Sequence, residues 1–383
     1  MITLLVVAGE ASGDLHGAEI LFALKRLRPE IRIVGVGGDR MTPFLDKKLA
    51  DVSNLGVVGF FEVARHLPRI LKLEKKIIEA VEEESIDAAL LIDYQSFNLR
   101  LAKTLRKRRP SMRLCQYVCP QVWAWKAGRV PVLGSIMDTL FCLFDFEPPL
   151  FNNYPVEAIC LGHPLVDLVV PETDRDAFFA ETGLTPDKRL IALLPGSRRG
   201  ELKRLLPAMS GLVKKWVHLE AEGEAMPLQW VLPIAPTLQV SEVKAAIGAL
   251  PIKIVENRSY AARAYADAAL VCSGTATLET AILGTPFAIL YRMNPLTLAI
   301  ARRLVKIKHF GLVNVLAGRE IARELLQEEV SPEGLYRELL RLLAPANAAA
   351  IRSELAMVRE RLGQPGAAER VALRLASGIP GSD

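Results

Sequence analysis

Cysteine and histidine are scarce in this 383-residue chain, five of each, and their spacing excludes several chemistries. The cysteines (Cys115, Cys119, Cys142, Cys160 and Cys272) are odd in number, scattered and mostly set in apolar runs. That pattern reads as reduced, buried thiols and not as a disulfide framework. No two histidines have the spacing of a metal-ligand pair. The one Asp-x-Asp stretch, Asp174-Arg175-Asp176, falls in a polar segment and not after a strand, so no metal or other cofactor is expected. A membrane-spanning run is also missing. The longest nearly apolar window, Ala268 to Tyr291, is broken by Ser273, Gly274, Glu279 and Gly284 and reads as strand, helix and strand. Met1 leads directly into a strand pattern without the parts of a signal peptide, so a cytoplasmic protein is expected. The dinucleotide fingerprint is incomplete, because GVGGDR (35–40) has Arg40 where the third glycine belongs, and no Walker lysine motif occurs. The basic run Arg106 to Arg109 ends a helix pattern before Pro110 with no nucleic-acid module around it, so no nucleic-acid partner is expected.

What is present points to a globular α/β protein. Apolar residues make up 51%, and the net charge of +5 with a pI near 8.9 favours anionic partners. Short β-rich runs (LLVVA, AALLI, LFCLF) are each followed by a helix-like stretch, the rhythm of a parallel sheet with crossover helices. A polar segment interrupts it, and then LIALL, LQWVL, IKIV, AALVC and FAIL restart it. The expected organisation is an N-terminal Rossmann-like domain (1–169), a linker (170–189), a second Rossmann-like domain (190–345) and C-terminal helices (346–383). Two such units imply a cleft, with ligands at the carboxyl ends of the strands.

Two loops carry phosphate-binding features. VCSGTATLETAILG (271–284) runs from a strand through Ser273, Gly274 and Thr275 into a helix, whose N–H groups and dipole suit a diphosphate. Glu279 lies about one turn further, where a carboxylate can take both hydroxyls of a ribose. LLPGSRRGELKRLLP (193–207) repeats the pattern with Ser197, Arg198 and Arg199 at the turn, and arginine suits charge developing on a phosphate oxygen. The competing readings are an ordinary capped helix and a surface-charged helix start. By contrast LVVAGEASGDLHGAEI (5–20) carries Glu10 and Asp14, which would repel a pyrophosphate, so that loop needs another purpose.

Taken in order, VAGEASGDLHGA, GVGGDRM, LIDYQSFN, PQVWAW, LGHPLVD, LLPGSRRGE, CSGTATLE, YRMNPLT and RRLVK followed by LVNVLAGRE make the chain resemble the lipid-A-disaccharide synthases over nearly its whole length. The resemblance implies a glycosyltransferase-B fold of two Rossmann-like domains facing a cleft. It also implies transfer of 2,3-diacylglucosamine from UDP to 2,3-diacylglucosamine 1-phosphate, with inversion, at the cytoplasmic face of the inner membrane. Asp93, after AALLI, matches the family aspartate proposed as general base; the competing reading is a helix cap. A second acid often follows it by three residues in the family, where this chain has Ser96. Glu10 and Asp14 either assist the acceptor or brace their loop. The expected site is therefore Asp93, Arg198 and Glu10 as catalytic residues, with Ser12, Asp14, Ser197, Ser273, Gly274, Thr275, Glu279 and Asn314 contacting substrate; Asn314 rests on the resemblance alone.

Acylated substrates imply an anionic membrane surface as a partner. In the segment Gly59 to Ile77, Phe60 and Phe61 interleave with Arg65, Arg69 and Lys72, a basic amphipathic pattern that suits a bilayer surface or, alternatively, a core-facing helix with a solvated side. Arg302 and Arg303 mark a second basic segment. The closest rivals are other UDP-sugar enzymes of the same fold, a 2-epimerase or a polyprenyl-linked glycosyltransferase. A homodimer is compatible with the sequence, which leaves open whether the C-terminal helices pack on their own N-terminal domain or on a partner's.

Overall fold

The computed structural model describes residues 2–52, 60–124, 127–293 and 308–378, with the side chains of 60–67 not described. Strands β1 (Thr3–Ala8), β2 (Arg32–Gly37), β3 (Lys47–Asp51), β4 (Ala88–Ile92), β5 (Arg113–Tyr117), β6 (Thr139–Cys142) and β7 (Glu157–Cys160) form a parallel sheet in the order β3-β2-β1-β4-β5-β6-β7. Helices α1 (Ala11–Leu27), α2 (Phe60–Glu83), α3 (Gln95–Arg108) and α4 (Val130–Ile136) connect them. Every residue of β1 is buried, which is why TLLVVA is continuously apolar: both faces of a parallel sheet are covered. Leu5 and Val7 enter one core with Leu101 and Leu105 of α3, while Leu4, Val6 and Ala8 enter the other with Ile20 and Leu24 of α1. The period of two along the strand thus feeds two cores.

The second unit begins with two short helices, α5 (Leu165–Leu168) and α6 (Arg175–Thr182). Its strands are β8 (Arg189–Leu194), β9 (Leu228–Pro233), β10 (Ile252–Val255), β11 (Ala268–Cys272), β12 (Phe287–Tyr291) and β13 (Glu324–Leu326), ordered β10-β9-β8-β11-β12-β13. Helices α7 (Arg199–Ala221), α8 (Val240–Ile247), α9 (Ser259–Ala264), α10 (Thr275–Ile282), α11 (Leu312–Ala317), α12 (Pro332–Leu343) and α13 (Pro345–Arg361) complete it, and α14 (Ala367–Gly378) follows.

The compact units are Met1–Pro164 with Leu362–Asp383, and Leu165–Arg361, which differs from the expected boundaries at both ends. Residues 170–189 are no free linker. The Glu172 carboxylate accepts hydrogen bonds from the Tyr260 and Ala261 N–H groups (3.0 and 2.8 Å), and the Tyr265 hydroxyl donates to the Thr173 carbonyl (2.6 Å). Asp174, expected only as a poor metal candidate, caps α6 by accepting from the Ala177 N–H (2.9 Å). At the C-terminus, α13 packs on α10, α11 and α12, burying Ile351, Leu355 and Val358 within the second unit. Of the last two helices, α14 is the one that packs on α1. It contributes Val371, Ala372 and Leu375 to the first unit's core, and Arg374 reaches the Glu157 carboxylate (2.6 Å). Among the described residues no helix is long and apolar enough to cross a membrane.

Candidate active site

In an open parallel sheet the loops diverge where the strand order reverses, leaving a crevice at the carboxyl ends of two adjacent strands. In the second unit that point lies between β8 and β11, which pair directly. The loops after these strands are the two phosphate-like stretches of the sequence, and both line one pocket of about 440 Å³. It is bounded by Ser197, Arg198, Ser273, Gly274, Thr275 and Glu279 from those two stretches, together with Glu201, Tyr260 and Arg263.

Each wall has a local cause. Gly196 turns the chain with φ +108°, where a side chain would both strain the backbone and collide with Glu201. The Glu201 carboxylate then accepts from the N–H groups of Ser197 (3.0 Å) and Arg198 (3.2 Å), fixing the turn while Arg198 stays 71% exposed and able to reach a ligand. Across the pocket Gly274, at φ +145°, is the N-cap of α10, and the first-turn N–H groups of a helix have no acceptor within it. Glu279 sits one turn on, its Oε2 held by Arg263 Nη1 at 2.8 Å and its Oε1 receiving the Tyr260 hydroxyl at 3.4 Å. Burial and the Glu279 charge push the Tyr260 phenol up to about 12, so it remains a hydrogen-bond donor at neutral pH. Such a pocket can hold a diphosphate at one end and a diol at the other.

In the first unit the reversal lies between β1 and β4. Here the backbone is strained: Asp93 and Tyr94 at the end of β4 have φ of 49° and 40°, and Val118 at the end of the neighbouring β5 has 63°. A β-branched residue in the left-handed region is uncommon, and such strain concentrates at functional turns. The turn is held by Asn98, whose Nδ2 donates to the carbonyls of Ile92 (3.1 Å) and Asp93 (2.8 Å). Gly9 is required because any side chain there would overlap the Tyr94 ring. The N-cap of α3 is Tyr94, so the capping alternative for Asp93 does not describe this structure. Burial raises the Asp93 carboxyl above the usual carboxylate range, against the opposing hydrogen bonds of the Tyr94 N–H and the Ser12 hydroxyl. Glu10 is exposed beside this turn, and its charge adds to burial in raising the Tyr94 phenol. Burial also holds His16 neutral, at about 4.

Residues 4–373 match the profile of the lipid-A-disaccharide synthetase family. The chain belongs to this family. It is similar to the lipid-A-disaccharide synthase of Syntrophus aciditrophicus, with 40% identity over 99% of this chain and 98% of that one. Among solved structures, the glycotransferase of kitacinnamycin shares 15% identity at a TM-score of 0.64, covering 99% of both chains. The UDP-GlcNAc 2-epimerase from Neisseria meningitidis, bound to UDP-GlcNAc, shares 12% at 0.60, covering 98% of this chain and 100% of that one. At these identities the structures establish the fold, two Rossmann-like units of glycosyltransferase-B type. Family and fold together make the protein a glycosyltransferase of lipid A biosynthesis.

Set in the synthetase frame, two expected ligand contacts take other parts. Asp14 is 5% exposed, and its carboxylate accepts from the N–H groups of Gly38 (2.6 Å), Arg40 (3.1 Å) and Met41 (3.2 Å). It braces the GVGGDR loop, and Gly38 is a glycine because a Cβ would press on that carboxylate. Asn314 is fully buried with its amide saturated. Its Nδ2 donates to the Ala322 carbonyl (2.7 Å) and Glu324 Oε1 (2.8 Å), while its oxygen accepts from the N–H groups of Ile321 (2.8 Å) and Ala322 (3.0 Å). An amide with all four positions used inside the fold has nothing left for a ligand.

Of the membrane candidates, Arg69 and Lys72 are exposed on α2, a helix that also buries Leu73, Ile77 and Val81 in the core. The side chains of Phe60, Phe61 and Arg65, and all of Arg302 and Arg303, lie outside the described residues. Trp123 is packed, its Nε1 donating to the buried Glu147 carboxylate at 2.9 Å with its ring edge-on to Phe146. The sequence reading missed Glu201, Tyr260 and Arg263. Glu201 plays the glutamate half of a capping box, but Arg198 stands where Ser or Thr would complete the sequence signal, so the pattern does not announce it. Nothing in SYAARA marks an arginine as buried.

Proposed function

We propose that the protein transfers 2,3-diacylglucosamine from UDP to the 6-hydroxyl of 2,3-diacylglucosamine 1-phosphate, giving a β-1,6-linked disaccharide 1-phosphate and UDP. The observation that carries this reading is the convergence on one pocket of Arg198, the N-terminus of α10 and the Glu279 carboxylate. A nucleoside diphosphate is the ligand whose chemistry matches all three at once. The diphosphate takes the Ser273-Gly274-Thr275 turn with Ser197 and Arg198 beside it, and the ribose takes Glu279.

Asp93 receives the proton from the acceptor hydroxyl as its oxygen forms the new bond to the anomeric carbon. The bond from that carbon to the diphosphate breaks on the opposite face, its electron pair leaves with UDP, and Arg198 with the α10 dipole stabilises the developing charge. Burial suits Asp93 to this, since a carboxylate of raised pKa is a stronger base. Ser12 orients it and Glu10 supports the acceptor. The exposed cations Arg69 and Lys72 support a peripheral position on the anionic cytoplasmic face of the inner membrane, for which Phe60, Phe61, Arg65, Arg302 and Arg303 are the further candidates in the sequence. Incubation with the two lipid substrates, followed by mass spectrometry and anomeric coupling constants, tests the reading; an α-linked product or no disaccharide contradicts it. Neutralising Arg65, Arg69 and Lys72 is expected to weaken salt-sensitive binding to anionic vesicles, and unchanged binding rejects that contact.

A further inference from the structure

Arg263 is 2% exposed on α9, where it forms part of the wall of the donor pocket, and its ion-pair partner is Glu279. Its guanidinium is anchored on both sides. Nε donates to the Ser259 carbonyl (3.0 Å) and Nη2 to the Ser259 hydroxyl (3.2 Å), both on α9. Nη1 reaches into α10, donating to the Ala276 carbonyl (3.3 Å) and to Glu279 Oε2 (2.8 Å). The Tyr260 ring covers the guanidinium at 4.9 Å, while the Tyr260 hydroxyl donates to Glu279 Oε1 (3.4 Å). Glu172 in turn fixes this corner through the Tyr260 and Ala261 N–H groups.

Stability is a weak explanation for this arrangement. Taking a guanidinium out of water is costly, and a well-packed apolar pair of the same volume usually holds a fold as well or better. What the pair provides is orientation. An ionised carboxylate offers about four acceptor sites on its two oxygens. One on each oxygen is taken by Arg263 and Tyr260, and Glu279, 18% exposed, turns its remaining capacity to the pocket. Two adjacent hydroxyls of a ribose match two side-by-side acceptors held in one plane.

We propose that Arg263, with Tyr260, is a positioning residue for the nucleotide: by locking the Glu279 carboxylate, it sets discrimination between ribose and deoxyribose without touching the ligand. The inference rests on the donor-pocket reading above. The planar guanidinium matters because its fork fixes both α10 and the carboxylate, which a point charge cannot do.

The test is calorimetric titration of the full-length protein with UDP and with 2′-deoxy-UDP. Wild type is expected to bind UDP at least about tenfold more tightly, the worth of a hydrogen bond to a charged group. In Arg263→Met, UDP affinity falls by about that factor while 2′-deoxy-UDP affinity holds within about threefold, so the ratio collapses. Tyr260→Phe reduces the ratio in part. Should Arg263→Met fail to fold, Arg263→Lys, which keeps the charge and loses the fork, is read in the same way. Parallel weakening of both nucleotides, or a ratio retained in these variants, overturns the positioning role and leaves the donor pocket standing. A wild type that binds neither nucleotide removes the donor pocket and the positioning role together.

Discussion

Asparagine in place of Asp93 keeps the shape of the side chain and removes its capacity to take a proton. Asparagine also tolerates the left-handed region, so the φ of 49° is no obstacle. Loss of a general base costs a factor of about 10²–10⁴ in rate, or roughly 3–5 kcal/mol in the barrier. The pH dependence adds a sharper test. Burial raises the Asp93 carboxyl, and the Ser12 hydroxyl opposes that rise by donating to the charged form. The base works only when ionised, so kcat/KM falls as pH drops through its pKa, and the acid limb lies above the ordinary carboxylate range. Ser12→Ala removes a hydrogen bond to a partly solvated carboxylate, worth about 1.5 kcal/mol, which moves the limb up by about one pH unit. Stability moves the other way. A folded-state pKa above the unfolded value means that ionisation disfavours the native state, so stability falls as pH rises between the two values. Asp93→Asn should therefore melt no lower than wild type at neutral pH. The assay is UDP release against pH for wild type, Ser12→Ala and Asp93→Asn, with melting curves for each. Near-normal turnover in Asp93→Asn, or an acid limb unmoved in Ser12→Ala, refutes the assignment.

Three further perturbations separate site from scaffold. Asn314→Ala strips four hydrogen bonds from a fully buried position and should cost about 2–4 kcal/mol in chemical denaturation, while KM for the donor stays near wild type in the folded fraction. A specific rise in KM without destabilisation would restore it as a ligand contact. Gly274→Ala forces a side chain onto φ +145°, where no atom lies within 4 Å of the new Cβ. It should reduce UDP affinity about tenfold through strain of about 1–3 kcal/mol at the α10 cap, and unchanged affinity by titration contradicts the diphosphate placement. Leu375→Ala empties a core position shared by α14 and α1 and should destabilise the first unit by about 2–5 kcal/mol in urea; a loss below 1 kcal/mol would mean that α14 docks loosely.

Much of this arrangement was legible in the residues, for identifiable reasons. Strands buried on both faces show as runs such as TLLVVA and AALVC, and a glycine after a strand marks a tight turn, which Gly196 and Gly274 make with φ above zero. Hydrophobicity could not show where the units divide. The Val170 to Arg189 segment is polar because its carboxylates cap helices, Asp174 at α6 and Glu172 at α9, and a capping acid has the composition of a linker. Asn314 reads as a ligand contact through the resemblance alone, and Asp14 reads equally as a helper of the acceptor or a brace for its loop, because a carboxylate suits either a ligand or a neighbouring backbone. Only the partners' positions decide between them. Arg263 failed the opposite way, since long-range pairing with Glu279, 16 residues on, leaves no local pattern.

The reaction proposed for this protein is transfer from a UDP-linked donor to a lipid acceptor. It is tested most directly by UDP release from purified protein given UDP-2,3-diacylglucosamine in detergent with excess EDTA, with and without 2,3-diacylglucosamine 1-phosphate. Acceptor-dependent release is expected, matched mole for mole by disaccharide 1-phosphate and unaffected by the chelator. UDP release independent of the acceptor, or the absence of disaccharide with and without added magnesium, would contradict it.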